Sequence, residues 1–306
     1  MLKIILNRIV ISIPVLLIVI TVTFFFIRLA PGGPFDTEKA VTPEILQNLN
    51  EYYNLNKPVF MQYLDYLRNL VQGDFGPSFR HSNRTVTEMI LSGLPVTFEL
   101  GVYALLIAVF FGTLAGLSAA LMPNSLKDYI PMSLAMTGIC MPTFLLGPLL
   151  ALVFGIWLEW LPVSGWDTLP GDKVLPSITM GAVYAAYIAR LTRGGMLEVL
   201  YQDFIRTARA KGLPETMVVV RHALKGGLLP VVSFIGPAIA GLLAGSFVVE
   251  TIFQIPGLGR FYVQAAFNRD YTMILGTTIL YSALIIFFNL FSDILTKWLD
   301  PRLRES

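Results

Sequence analysis

The chain has 306 residues, 55% of them hydrophobic and 14% charged, with a mean hydropathy of +0.68. Soluble domains carry about 25% charged residues, so a wholly water-soluble fold is excluded and lipid must be the solvent for much of the surface. A net charge of +2 and a single cysteine, Cys140, exclude a strongly basic nucleic-acid binder, an internal disulfide and a cysteine-based metal site.

Six apolar stretches are long enough to cross a bilayer, which takes about 20 residues. In chain order they cover 9–29, 96–121, 129–157, 174–191, 228–252 and 272–297, the fourth being the shortest. The first follows Lys3 and Arg8 and ends in RLAPGGP with no small-residue cleavage site. It reads as an uncleaved first helix rather than a signal peptide.

The polar stretch 31–95 separates the first two spans. Thr42 suits a helix cap and Pro43 the first helical position. Phe60, Tyr63, Leu64, Leu67 and Leu70 fall on one helical stripe that Gly73 ends. With five Lys and Arg against seven Asp and Glu, this insert carries no strong field. It reads as a lid packed on the spans, or as a docking surface or plug.

The core spans are rich in breakers: Gly138, Pro142, Gly147 and Pro148 in the third, and Pro230, Gly236, Pro237, Gly241 and Gly245 in the fifth. Gly241 and Gly245 form a small-xxx-small face for close helix contact. Proline at membrane depth frees backbone groups that neighbouring helices or a wet cavity must satisfy. The breakers therefore serve close packing or a solute path, and their density singles out Met141, Thr143, Phe234 and Gly241 as path candidates.

Ionisable residues in the spans are few and terminal: Glu99 and Asp293 near ends, Glu250 and Arg28 at margins. An ion-driven carrier usually keeps an acid at mid-membrane, so the energy source is expected to lie elsewhere. An ion-coupled carrier acting alone is the alternative. No GxxxxGK[ST] loop, HExxH or Cys/His zinc spacing occurs. Ser246 has no histidine within a span to activate it, so no catalysis is expected. Placing the N-terminus inside puts 13 of the 22 Lys and Arg on the inner side, and both termini are expected there.

One inner connection stands out: DFIRTARAKGLPETMVVVRHALKGGLLP, residues 203–230. Asp203 suits a cap, Gly212 the position just past a helix, and Pro214 forbids continuation. The helix between them has about eight residues and a length of about 12 Å, too short to stand alone in water. It mixes Phe204, Ile205, Ala208, Ala210 and Leu213 with Arg206, Arg209 and Lys211. On the residues alone it lies on anionic headgroups or packs against a partner.

This stretch resembles the coupling loop of ABC-transporter permease subunits, an Ala-rich helix followed by a Gly and then a Leu-Pro. Ala208, Gly212 and Leu229-Pro230 match that pattern. Arg206 and Thr207 replace the Glu and Ala of the general triplet, as in the peptide branch. RLAPGGPF, GDFGPSF, FIRTARAKG, ETIFQIPGLGR and DPRLR follow one another as in B-type subunits of peptide importers, those of oligopeptide importers above all.

The resemblance implies an all-α polytopic membrane protein with the type I ABC importer permease fold: six transmembrane helices and a small helical periplasmic insert. The N-terminal helix would occupy 1–30, the insert 31–95 and the permease core 96–306, with the coupling loop at 192–227. It also implies a non-catalytic subunit in a bacterial inner membrane. Its substrates would be oligopeptides, or the dipeptides, cell-wall peptides or metal complexes of related importers. The implied partners are a second homologous permease subunit, two cytoplasmic ATPases that hold ATP and Mg, and a periplasmic or lipid-anchored peptide-binding protein. Membrane lipid would surround the chain, which itself would hold no cofactor and bind no nucleic acid. Asp203, Phe204, Arg206, Thr207, Ala208, Ala210, Lys211 and Gly212 would dock an ATPase, with Ala208 and Gly212 as the leading contacts.

Overall fold

A computed structural model describes residues 2–30, 33–35, 43–81 and 84–299. The named elements are all helical, and one antiparallel bridge joins Pro77 to Thr85. The principal helices are α1 (Leu2–Leu29), α2 (Pro43–Tyr52), α3 (Val59–Val71), α4 (Val86–Leu121), α5 (Leu126–Cys140), α6 (Thr143–Leu150), α7 (Val174–Leu200) and α8 (Asp203–Ala210). They continue as α9 (Glu215–Met217), α10 (Leu224–Gly227), α11 (Leu229–Ile252), α12 (Leu258–Asn268) and α13 (Tyr271–Leu299). Wider π-helical turns occupy Ala151–Trp157 and Val218–Ala223.

Among the described residues, five helices are long and apolar enough to cross a membrane. A sixth crossing exists if the arms Leu126–Cys140 and Thr143–Trp157 count as one span, although they meet at 111°. The third span expected over 129–157 is this bent pair, broken at Pro142, one of the breakers singled out in it. Pro142 has no N–H to continue the ladder and holds Met141 extended (ψ 115°), the usual restriction before proline.

The expected short fourth span is corrected, because α7 has 27 residues and runs on to Leu200. The apolar pattern stops at Arg190 and Arg193, but the helix does not. The second spanning helix, α4, likewise starts ten residues before its apolar run. Thr85 and Glu88 form a reciprocal capping box, each side chain accepting from the other's N–H at 3.2 Å. Pro95 is absorbed within it.

The chain divides into two compact units: Phe98–Ile255 with Ile285–Ser306 and the first two residues, and Lys3–Thr97 with Pro256–Leu284. In the first, Gly112 and Gly116 of α4 let that helix come against the Ala185 and Ala189 carbonyls of α7, where any Cβ would collide. That is the small-residue packing by which membrane helices associate.

In the second unit, Ile20 and Phe24 of α1 join Tyr66 of α3 and Leu275 and Ile279 of α13. The buried face of α3 carries Tyr63, Tyr66, Leu67 and Leu70, an i, i+3, i+4, i+7 set. Phe60 and Leu64, expected on that stripe, are exposed; the face is centred one step further round, on Tyr66. Gly73 ends the segment at φ +78°. The Thr42 cap and the DPRLR motif lie outside the described residues. Asp270 caps α13 by accepting from the Met273 N–H, and also takes the Ser78 hydroxyl at 2.5 Å and the Phe79 N–H at 3.2 Å.

Candidate functional site

The short helix α8 occupies Asp203–Ala210. Its cap is Gln202, which makes no side-chain bond. Asp203, expected as the cap, is instead the first helical residue, with its side chain 97% exposed and 3.5 Å from Arg206. A carboxylate in the first turn still favours the helix dipole.

Two residues three apart hold α8 in place. Ile205 and Ala208 are buried with Ala120, Met196, Val199, Leu200, Val218, Val219 and Ala223, and Leu213 packs against that cluster. The core thereby supplies the packing that an eight-residue helix lacks by itself. Gly212 adopts φ +76° just past the helix, a left-handed turn that favours glycine, and Pro214 precedes α9.

Arg209 closes the turn on Glu215 through Nη2 at 2.6 Å and Nε at 3.1 Å. Its hydrogen bonds hold the Glu215 carboxyl below the usual glutamate range. The contribution of this pair is complete above the ordinary glutamate pKa of about 4.3. It disappears as pH falls through the lower folded value. Both side chains are largely exposed, so E215Q is expected to cost less than about 1 kcal/mol at neutral pH. Thermal melts at pH 7 and at successively lower pH check this: the two proteins should differ slightly at pH 7 and converge as Glu215 becomes protonated.

The opposite side of α8 faces out. Phe204 is 47% exposed, and Arg206, Thr207, Ala210, Lys211 and Gly212 are exposed beside it. Tyr201, Met217 and Val220 are exposed large side chains of the same connection. The structure thus brings seven of the eight singled-out residues to the surface and turns Ala208 into the chain's own core.

The connection is tied to the longer helices at its start. Gly195 of α7 lies so close to Gly227 of α10 that a Cβ on Gly195 would meet the Gly227 carbonyl. Two residues before Gly195, Arg193 reaches Asp128 of α5 with Nε on Oδ1 and Nη2 on Oδ2, both at 2.7 Å. Asp128 also accepts the Asn124 N–H at 3.0 Å. This fork on fork joins residues 65 apart. Reading the sequence missed Asp128, because an acid three residues after the cap Ser125 signals only a helix start.

The path candidates separate into two places. Phe234 and Gly241 of α11 both meet α7. The Phe234 ring lies 6.4 Å from that of Tyr184 and 5.9 Å from that of Tyr187, and a Cβ at Gly241 would strike the Tyr184 hydroxyl. Phe234 also packs on the cluster of Ala108, Ile188 and Val231. Met141 and Thr143 flank the α5–α6 break.

Glu99, read as a span-end acid, is paired across 74 residues with Lys173 at 2.7 Å. Lys173 also holds Asp167 at 2.5 Å and lies 4.8 Å from the Trp166 ring. The carboxylates Asp167 and Glu99 raise the lysine above its ordinary value, so it stays charged. Among the described residues no group of three or more His, Cys, Asp or Glu is placed to hold a metal.

Comparison with known proteins matches these features to a family. Residues 108–305 fit the model of the binding-protein-dependent transport system inner membrane component, and residues 1–101 fit its N-terminal companion. The chain is 49% identical over 305 residues to the oligopeptide transport system permease protein OppB of Salmonella typhimurium, covering 99% of this chain and 100% of the relative. It is 43% identical over 289 residues to the dipeptide transport system permease protein DppB of Bacillus subtilis, covering 94% of each. Among solved structures, an inward-facing form of the MetNI methionine ABC transporter aligns with TM-score 0.58 at 15% identity, over 69% of this chain and 96% of that one. A likeness at that identity establishes the fold. With both family models matched and a relative at 49% identity aligned end to end, the chain belongs to the inner-membrane component family of binding-protein-dependent transport systems.

Proposed function

We propose that the chain is one of two paired permease subunits of an ATP-driven importer that takes up oligopeptides delivered by an external binding protein. The observation that carries the substrate class is the end-to-end 49% identity with an oligopeptide permease. The dipeptide relative, at 43%, is the second reading. In this account ATP and Mg act on separate cytoplasmic ATPases. One of them takes the outward side of α8, while the inward side is fixed to the core. A short rod held at one face transmits a rigid-body shift to α7 through Gly195 and to α5 through the Asp128–Arg193 fork. Both termini and the α8 connection then lie in the cytoplasm, as the distribution of Lys and Arg favours.

The test is reconstitution of the chain with its partner permease, ATPases and binding protein in liposomes, followed by uptake of labelled dipeptides and tetrapeptides. ATP-dependent uptake favouring tetrapeptides is expected. Preference for dipeptides transfers the chain to the second reading. Transport by this chain alone, without ATPases, overturns both.

A further inference from the structure

We propose that a crevice at one end of α1 and α13 binds a phosphate, and that its natural source is a phospholipid headgroup at the membrane surface. The crevice has a volume of about 470 Å³, and its lining includes Arg28, Tyr53, Tyr66, Arg68 and Tyr271. Its position is the first argument. Arg28 is one residue from the end of the candidate span Val10–Leu29, and Tyr271 is the first residue of Tyr271–Leu295. Span ends are where phosphates lie, and where tyrosine and arginine side chains collect.

The second argument is charge. The Arg28 guanidinium stacks 3.5 Å from the Phe24 ring centroid and 5.9 Å from that of Tyr271. Its nitrogens donate only to neutral oxygens: Gln62 Oε1 at 3.2 and 3.4 Å, and the Phe24 carbonyl at 3.1 Å. Among the described residues no carboxylate pairs with Arg28 or Arg68, whereas Lys57, on the same lining, is satisfied by Asp65 at 2.8 Å. The crevice therefore carries a positive surplus. A half-buried cation in such a place favours an anion, and the planar guanidinium fork suits phosphate.

The third argument is an orphan donor. Tyr66 is buried, and its hydroxyl has no hydrogen-bond partner. Buried polar groups left unpaired are few in native structures. An acceptor drawn in by Arg28 is the partner that Tyr66 lacks.

The experiment uses the assembled transporter, purified, stripped of lipid and titrated with short-chain phosphatidylglycerol, inorganic phosphate or short-chain diacylglycerol, with bound ligand counted by native mass spectrometry. Wild type is expected to hold one phosphatidylglycerol that R28Q binds roughly tenfold more weakly, the size of one charge-assisted bond. Y66F should lose several-fold. That variant keeps the proposal testable if R28Q fails to assemble, because the hydroxyl it removes bonds to nothing. A merely structural tyrosine predicts unaltered lipid binding by Y66F.

Displacement of the lipid by inorganic phosphate makes the bare anion sufficient. Lipid binding without phosphate binding assigns the source to the headgroup and its glycerol. Equal binding by diacylglycerol, or lipid binding unchanged in either R28Q or Y66F, overturns the proposal.

Discussion

Replacing Asp128 with asparagine is expected to destabilise the protein by about 3 kcal/mol, the low end of the range for breaking a buried ion pair. Asp128 is 3% exposed and holds Arg193 through two bonds of 2.7 Å. D128N leaves the guanidinium opposite a neutral amide, which can accept through one oxygen only. The cost stays at the low end because 31% of the Arg193 side chain remains exposed and water stabilises the stranded charge in part. The readout is the thermal midpoint of the purified transporter, which should fall by several degrees. The exchange D128R/R193D should recover part of that loss by restoring opposite charges. The recovery stays incomplete, because an arginine at 128 has no acceptor for the Asn124 N–H that Asp128 now takes. A midpoint in D128N equal to wild type removes this pair from the account of how α5 and α7 are joined.

The second large effect belongs to transport rather than stability. F204D is expected to abolish ATP-dependent uptake while the subunit still inserts and folds. Phe204 is 47% exposed, so an aspartate there meets water in the isolated chain. Against an ATPase it would bury a charge where an aromatic ring is expected. Aromatic anchors of interfaces are worth about 2–4 kcal/mol, a fall in ATPase affinity of roughly 30- to 1000-fold at 1.4 kcal/mol per decade. I205D is the contrasting variant. Ile205 is fully buried in the cluster around Met196 and Val218, so its replacement should lower the amount of folded protein. ATPase co-purification and peptide uptake, measured side by side, separate the two. Uptake at the wild-type rate in F204D sinks the docking role of this face.

Gly212 sits between these extremes. Nothing lies within 4 Å of a Cβ built there, but its φ of +76° makes G212A strained by about 1 kcal/mol. A larger loss of uptake in that variant locates the partner's surface at the turn.

What could be read from the chain by itself was whatever is written locally. Length, apolarity and breaker placement determined that the protein is helical and membrane-spanning, and roughly where each span lies. Gly212 and Pro214 determined the end of α8 because a left-handed turn and a missing N–H are properties of single residues. The five ordered motifs indicated the family. Local pattern also misplaced boundaries where a distant partner or an overlooked cap prevailed. α7 continues past its apolar run, carrying Arg193 to Asp128, and α4 begins early because Thr85 and Glu88 cap each other.

Only the tertiary structure decided which side of α8 is free. A small side chain and the family resemblance made Ala208 a candidate contact, yet Ala208 and Ile205 share the face that three other segments cover. It alone paired Glu99 with Lys173 and Arg193 with Asp128. It also left Arg28 stacked on rings and bonded to neutral oxygens. Hydropathy reports how a side chain prefers its solvent. It does not report which charge, ring or carbonyl from elsewhere in the chain will be its neighbour, because that depends on packing between segments tens of residues apart.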